Sequence, residues 1–196
     1  MKTYLKIFMG IIAVSGGMIM SNHDGSYSGS RYEAYSSQDP EINVTMEYPS
    51  GWQYQEHRGS YGSYAQVQFY GEVQDGFAPS IVLTVEREEK VSFAPLTLEG
   101  MADDLAGKRM KLAEAQILSK TNTTILDVPA VDMTWTYKQP RELYSIDLTQ
   151  IGFQERMIIF QKDGRFYTLR YVNPQAVFAE YEEDFAHSIE TFLLKP

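Results

Sequence analysis

The sequence predicts an α+β domain, an α-β-α sandwich in which helices cover both faces of a central, mostly antiparallel β-sheet. Short apolar–polar alternations recur along the chain, as in half-buried strands. A two-residue Asp163-Gly164 step between apolar runs is a strong signal of an antiparallel hairpin. Two amphipathic helical stretches interrupt the strands, and the runs "SIVLTV" and "MIIF" are apolar on both faces. Strands of that kind need cover on both sides, which completes the prediction.

The first predicted strand is Ile42–Tyr48, where apolar and polar residues alternate. It ends at the stretch "YPSGW", which predicts a β-turn with Pro49 at position i+1 and Gly51 at i+2 or i+3. Tyr48 and Trp52 flank this turn and are expected to be core anchors at the domain's first hairpin-like corner. The further predicted strands are residues 63–70, 79–88, 117–126, 130–138 and 143–162, and the stretch "RFYTLRYV" that follows Asp163-Gly164.

The first predicted helix is Leu98–Gln116, with Thr97 as its N-cap. Its apolar residues at helical spacing are Leu98, Met101, Leu105 and Leu112. The second predicted helix is Pro174–Leu194, with Asn173 as the cap and Pro174 in the first helical position. Its apolar face comprises Phe178, Tyr181, Phe185, Ile189 and Phe192.

The N-terminal part of the chain predicts export. Residues 1–21 combine Lys2 and Lys6 with a short apolar run and small residues, which is the layout of a signal peptide. An uncleaved anchor is the alternative, although the apolar stretch is short for a membrane span. Residues 22–41 are rich in Ser, Gly and Tyr and predict a flexible linker, which leaves residues 42–196 as the domain. The expected location is periplasmic or extracellular.

Composition excludes several classes of function. The chain has 196 residues, no cysteine and a formal net charge of −9. Disulfides, thiolate catalysis and cysteine-ligated metals are therefore excluded, and a phosphate-binding nucleic-acid role is disfavoured. No transmembrane segment is expected within the mature domain, and a monomer is expected.

Catalytic and metal motifs are not recognised, so the sequence predicts no enzyme, no cofactor and no metal site. The group that comes nearest to a metal site is Glu180, Glu183, Asp184 and His187 on the second helix. Calcium sites gather about six to eight oxygens, often around a loop, whereas a helix spreads its charges around its outside. A solvated helix face is the preferred interpretation of these residues, and a cation site is the alternative.

Four stretches of the chain resemble the PsbP-like family. They are "YPSGW", "GFAPSIVLTVE", "DVPAVDMTWTY" and "GRFYTLRYVNPQAVFAEYEEDFAHSIETFL". The resemblance covers residues 42–194 and implies an antiparallel sheet between helices and a non-enzymatic role in binding or stabilising a partner complex. That family includes the extrinsic subunit of photosystem II, but the acidic charge and the absence of a lipid-attachment cysteine make a photosynthetic role the lesser alternative.

The leading functional hypothesis is an exported, non-enzymatic domain that binds a protein or complex of the cell envelope. A module that binds a small molecule or a divalent cation, in a cleft between helix and sheet, is the alternative from a different class. A hydrolase with an unrecognised site is a third, less favoured reading.

Overall fold

The computed structural model describes residues 31–59, 64–73, 77–87, 97–140 and 149–195. Within these ranges the chain forms ten strands, two α-helices and one 3₁₀ helix. The strands are β1 Tyr32–Ser36, β2 Val44–Pro49, β3 Gln53–Arg58, β4 Tyr64–Tyr70, β5 Ser80–Arg87, β6 Ala113–Ile125, β7 Val128–Pro140, β8 Gln150–Lys162, β9 Arg165–Pro174 and β10 Leu193–Leu194. The helices are α1 Leu98–Arg109, the 3₁₀ helix Gln175–Tyr181 and α2 Glu182–Glu190.

The strands form two sheets whose described pairings are all antiparallel. The large sheet has the order β3-β4-β5-β9-β8-β7-β6, and the small sheet has the order β1-β2-β10. At the β8–β9 hairpin, Asp163 and Gly164 both have positive φ, at 52° and 69°. This is the backbone that a tight two-residue turn needs, so the predicted Asp-Gly hairpin is confirmed.

Both faces of the large sheet are covered by other elements, and an apolar core lies beneath each cover. On one face α1 packs against β7 and β8. On the opposite face lie the small sheet, the 3₁₀ helix and α2, around a second core. The predicted α+β class with a mostly antiparallel sheet is confirmed, but the second covering layer contains a sheet as well as helices.

The predicted linker is partly wrong, because Tyr32–Ser36 is strand β1. It pairs antiparallel with β2, and Tyr35 is buried in the core beneath. Strand β10 pairs with β2 on the opposite edge, so the edge on which β1 pairs is not taken by β10. The Ser-rich composition around β1 concealed this strand. The predicted signal peptide, 1–21, and residues 22–30 lie outside the described residues.

The first helix begins as predicted but is shorter. The Thr97 hydroxyl accepts a hydrogen bond from the Gly100 N–H at 3.1 Å, which confirms the N-cap. The helix ends at Arg109, and Ala113–Ile125 is strand β6 instead of continuing it. Pairing of Ala113 and Gln116 with β7, with a register irregularity between them, overrides the local helical spacing, since tertiary context outweighs propensity.

The second helix is interrupted where a single one was predicted. The stretch divides into the 3₁₀ helix, α2 and the short strand β10. Pro174 ends β9, and the Asn173 side chain donates to the Tyr171 hydroxyl and the Val177 carbonyl, so Asn173 does not cap the helix. The predicted apolar face nevertheless points inwards, with Phe178, Phe185 and Phe192 buried.

The "YPSGW" stretch connects the two sheets. The Trp52 N–H donates to the Pro49 carbonyl at 3.2 Å, so Pro49 is residue i of the turn and not i+1 as predicted. Gly51 lies at i+2 with φ of +81°, as expected for a glycine in that position. The turn leads from β2 to β3, a strand that the sequence analysis missed, and is therefore not a hairpin corner. Trp52 is half-buried and packs on the edge of the core beside Tyr181.

Candidate functional site

A buried ionic cluster lies between α1 and the large sheet. Its centre is Glu155 of β8, whose side chain is 0% exposed. Arg109 donates to it twice, from Nε at 2.9 Å and from Nη2 at 3.0 Å. The Trp135 indole N–H donates at 3.2 Å, and Nε of Arg170 lies 3.1 Å from Oε1 of the same carboxylate. We call these four residues the Arg–Glu–Arg cluster.

Sheet register and the end of a helix bring the cluster together. Trp135 of β7 lies directly opposite Glu155, so their side chains share one face of the sheet. On β9, Val172 lies opposite Glu155, and Arg170 is its diagonal neighbour two residues away. Arg109 comes from the last turn of α1, where a cation also favours the negative end of the helix dipole.

The charges around Glu155 determine its ionisation. Burial opposes the charged form, but the positive charges of Arg170 and Arg109 outweigh it and hold the pKa of Glu155 below its ordinary value. Burial, together with the Glu155 charge, raises the pKa of Tyr137 nearby, so its hydroxyl stays neutral. An ionised Glu155 therefore faces two cations, and the cluster carries a net charge of +1.

Arg170 is the least satisfied member of the cluster. Its Nε atom is buried and has no correctly oriented hydrogen-bond partner among the described residues. Its one described ionic partner is Glu155, whose oxygens already accept hydrogen bonds from Arg109 and Trp135. Its side chain is 29% exposed, so the cluster reaches the surface through Arg170.

This arrangement favours binding over catalysis. A carboxylate held ionised by two cations, with all of its described contacts to donors, has a poor capacity to take up a proton as a general base. The arginines remain charged and offer N–H donors in a planar fork. Such donors can recognise a negatively charged group.

Strand β6 forms one edge of the large sheet and is a second candidate site. All of its thirteen residues are exposed except Ala115 and Ile125. Its pairing with β7 is irregular up to Ser119 and regular from there to Ile125. Ile117 and Leu118 are large apolar residues exposed on it, and Met110 is exposed just before it.

The four residues considered for a metal site have other partners or lie apart. Glu183 and Asp184 both pair with Arg31, at 3.2 Å and 3.1 Å. His187 Nε2 lies 2.7 Å from Oε2 of Glu47 on β2, and its ring stacks on Tyr32 of β1. Glu180 is exposed. In the part of the chain that the structure describes, no group of three or more His, Cys, Asp or Glu side chains could hold a metal ion.

Sequence reasoning missed the Arg–Glu–Arg cluster, although one signal was present. Phe153, Glu155, Met157 and Ile159 alternate along one face of β8, and three of the four are apolar. A carboxylate at an apolar position of such an alternation marks a buried charge that needs partners. The partners themselves, 46 residues before and 15 after in the chain, could not be named from spacing.

No helix within the described ranges combines the length and apolar character needed to cross a membrane.

Comparison with known proteins agrees with this fold. The model of a family described as PsbP-like protein matches residues 19–194. Cyanobacterial PsbP (CyanoP) from Synechocystis sp. PCC 6803 superposes with a TM-score of 0.55 at 13% identity, over 91% of this chain and 99% of that one. LpqN of Mycobacterium tuberculosis, described as involved in cell envelope biogenesis, gives 0.55 at 11% identity, over 84% and 91%.

A eukaryotic protein also shares the architecture. The Ran-binding protein Mog1p of Saccharomyces cerevisiae superposes with a TM-score of 0.51 at 7% identity, over 83% of this chain and 95% of that one. Identities this low establish a common fold and nothing about shared ligands. No curated protein sequence matches the chain.

Proposed function

The chain belongs to the PsbP-like protein family, and from that premise we propose that it is an exported, non-enzymatic accessory protein that binds a protein partner in the cell envelope. The observation that carries the proposal is that β6 is an edge strand of the large sheet, with no described strand paired on its outer side. The envelope location is supported by the signal-like N-terminus and by the description of LpqN, which shares the fold.

The β6 edge is suited to pair with an extended segment of another protein. An edge strand presents unpaired backbone N–H and C=O groups, which a peptide can complete as an additional strand. From Ser119 to Ile125 the strand pairs regularly with β7, so on its other side, where no described residue pairs, its backbone groups form a continuous row. Its one charged residue in this part, Lys120, forms an ion pair with Asp103 on α1 at 2.6 Å.

The opposite edge of the same sheet is less suitable. Strand β3 is six residues long against thirteen for β6, and it carries Glu56, His57 and Arg58 in succession. Charged side chains on a short edge are a common protection against pairing with other chains. The contrast favours β6 as the docking edge.

Affinity capture from an envelope fraction tests the proposal. We expect the wild-type domain to recover a partner, and Leu118→Lys to lose most of it, because a lysine places a charge in the apolar contact beside the edge. Val73→Lys is the matched control, since the exposed fractions of Leu118 and Val73 are 54% and 55%. Equal recovery by all three proteins, or recovery of no partner above background, would contradict the proposal.

The alternatives predicted from the sequence remain separate proposals. A role as an extrinsic photosystem II subunit is supported by the likeness to CyanoP. At 13% identity this likeness concerns the fold alone. Binding of a divalent cation at the predicted group would compete with Arg31 for the carboxylates of Glu183 and Asp184. Calorimetry with Ca²⁺, Mn²⁺ and Zn²⁺ tests that version, and flat titrations would remove it.

A further inference from the structure

We propose that the Arg–Glu–Arg cluster is a receptor for a small organic carboxylate, which binds to the outer side of the Arg170 guanidinium. This site lies on the α1-covered face of the sheet and is independent of the β6 edge, so either proposal can fail without the other.

The charge balance of the cluster is the first reason. Arg109 makes two hydrogen bonds to Glu155 and also lies in the last turn of α1, where helix carbonyls favour a cation. Arg109 is thus compensated twice. Arg170 shares the same carboxylate without a well-oriented hydrogen bond, so among the described residues the positive charge that is not compensated resides on Arg170.

The geometry of Arg170 is the second reason. Nε, on the inner side, is buried against Glu155, and the side chain is 29% exposed overall. In the described part of the chain, Glu155 is the one ionic partner of Arg170, and no hydrogen bond from the Nη groups to a described residue is present. These donors can therefore bind a ligand from outside without breaking a contact to any described residue.

The chemistry of the ligand follows from shape and charge. A guanidinium presents a planar pair of N–H donors that fits the two oxygens of a carboxylate. A single negative charge would bring the cluster from +1 to neutral. A phosphate with nearly two charges would leave an excess negative charge beside the buried Glu155, so a monocarboxylate is the better match.

The two tryptophans of the chain provide a direct test. Trp135 donates its indole N–H to Glu155 inside the cluster, and Trp52 lies with the core on the opposite face of the sheet. We would follow both indole ¹⁵N–¹H resonances while sodium acetate replaces sodium chloride at constant ionic strength. The expected result is a saturable shift of the Trp135 resonance with little change at Trp52. A linear change, or an equal change at both indoles, would overturn the proposal.

Substitutions locate the effect. Arg170→Met is expected to weaken the acetate response at least about tenfold, because it removes a charge-assisted contact. Arg58→Met is the matched control and should retain the response, since Arg58 pairs with Asp39 at the surface away from the cluster. If Arg170→Met does not fold, the wild-type titration still decides. A tighter and saturable response to inorganic phosphate than to acetate would overturn the assignment to a carboxylate.

Discussion

The two faces of the seven-stranded sheet are packed by different chemistry. The face under the small sheet and α2 is filled by aromatic and aliphatic side chains, with stacked rings such as Phe160 on Tyr167 at 5.0 Å. A buried hydroxyl there is satisfied locally, as Tyr171 donates to the Phe178 carbonyl at 2.6 Å. The face under α1 instead encloses Glu155 with two arginines.

This difference indicates how each layer is held. On the aromatic face, the layers are held by burial of apolar area, which contributes roughly 25 cal/mol per Å². On the α1 face, part of the attachment of the helix is ionic, because Arg109 joins α1 to Glu155 on β8. A buried ion pair is a poor source of net stability, yet removal of one partner is costly because the other charge remains buried. The two faces should therefore respond differently to comparable substitutions.

The largest expected effect is that of Trp135→Ala, which should lower the free energy of unfolding by about 5 kcal/mol, at the upper end of the range for emptied aromatic sites. Trp135 is 1% exposed and its indole also satisfies Glu155. Trp52→Ala, on the other face, should cost less, about 1–3 kcal/mol, because Trp52 is half-buried. Urea denaturation of both variants makes the comparison, and equal losses would contradict it.

Glu155→Leu should cost about 3 kcal/mol, the lower end for a broken buried pair, since Arg170 partly reaches solvent. The triple change Glu155→Leu, Arg109→Met and Arg170→Met removes all three charges and should recover most of that loss. Chemical denaturation of the single and triple variants measures the difference. If the triple variant is less stable than the single one, the ionic cluster is itself a net source of stability.

Acid should lower the stability of the protein by protonating Glu155 beneath α1. Its pKa is lowered in the folded state, so its contribution to stability is fully present above the unfolded value of 4.5 and is lost as pH falls towards the folded pKa. The stability difference between wild type and Glu155→Gln should thus be constant near neutral pH and shrink below about pH 4.5. Denaturation midpoints at a series of pH values test this, and a difference that grows in acid would show the sign to be wrong.

The smallest expected effect concerns the start of α1. Thr97→Ala removes the hydroxyl that accepts from Gly100 and should cost about 1 kcal/mol. Thr97→Ser keeps the oxygen and should stay close to wild type. Thermal unfolding of these two variants tests whether α1 depends on its N-cap as well as on Arg109. Identical midpoints for Thr97→Ala and Thr97→Ser would show that the cap does not contribute to stability.

Features that depend on neighbouring residues were predictable. The Asp163-Gly164 turn and the Thr97 cap both follow from contacts or backbone geometry within a few residues. The motifs that resemble the PsbP-like family extended this to the fold, and the match of the family model to residues 19–194 confirms it.

Features that depend on distant partners were not predictable. Residues 113–116 continue a helical spacing, but β7 lies alongside and turns them into an edge strand. Distant partners also decided the fate of the candidate metal group. Glu183 and Asp184 form ion pairs with Arg31, and His187 pairs with Glu47.

The sequence by itself determined the class of fold, the tight hairpin and which side chains avoid water, because these properties arise from local geometry and from the hydrophobic pattern. Only the tertiary structure decided that Tyr32–Ser36 completes a second sheet and that Glu155 meets Arg109 and Arg170. A strand edge has unpaired backbone groups and a buried charge needs an opposite charge. Which residues meet these needs depends on the three-dimensional arrangement and not on neighbours in the sequence. That arrangement placed β6 at the edge of the large sheet and assembled the positively charged cluster, and the two proposals rest on these features.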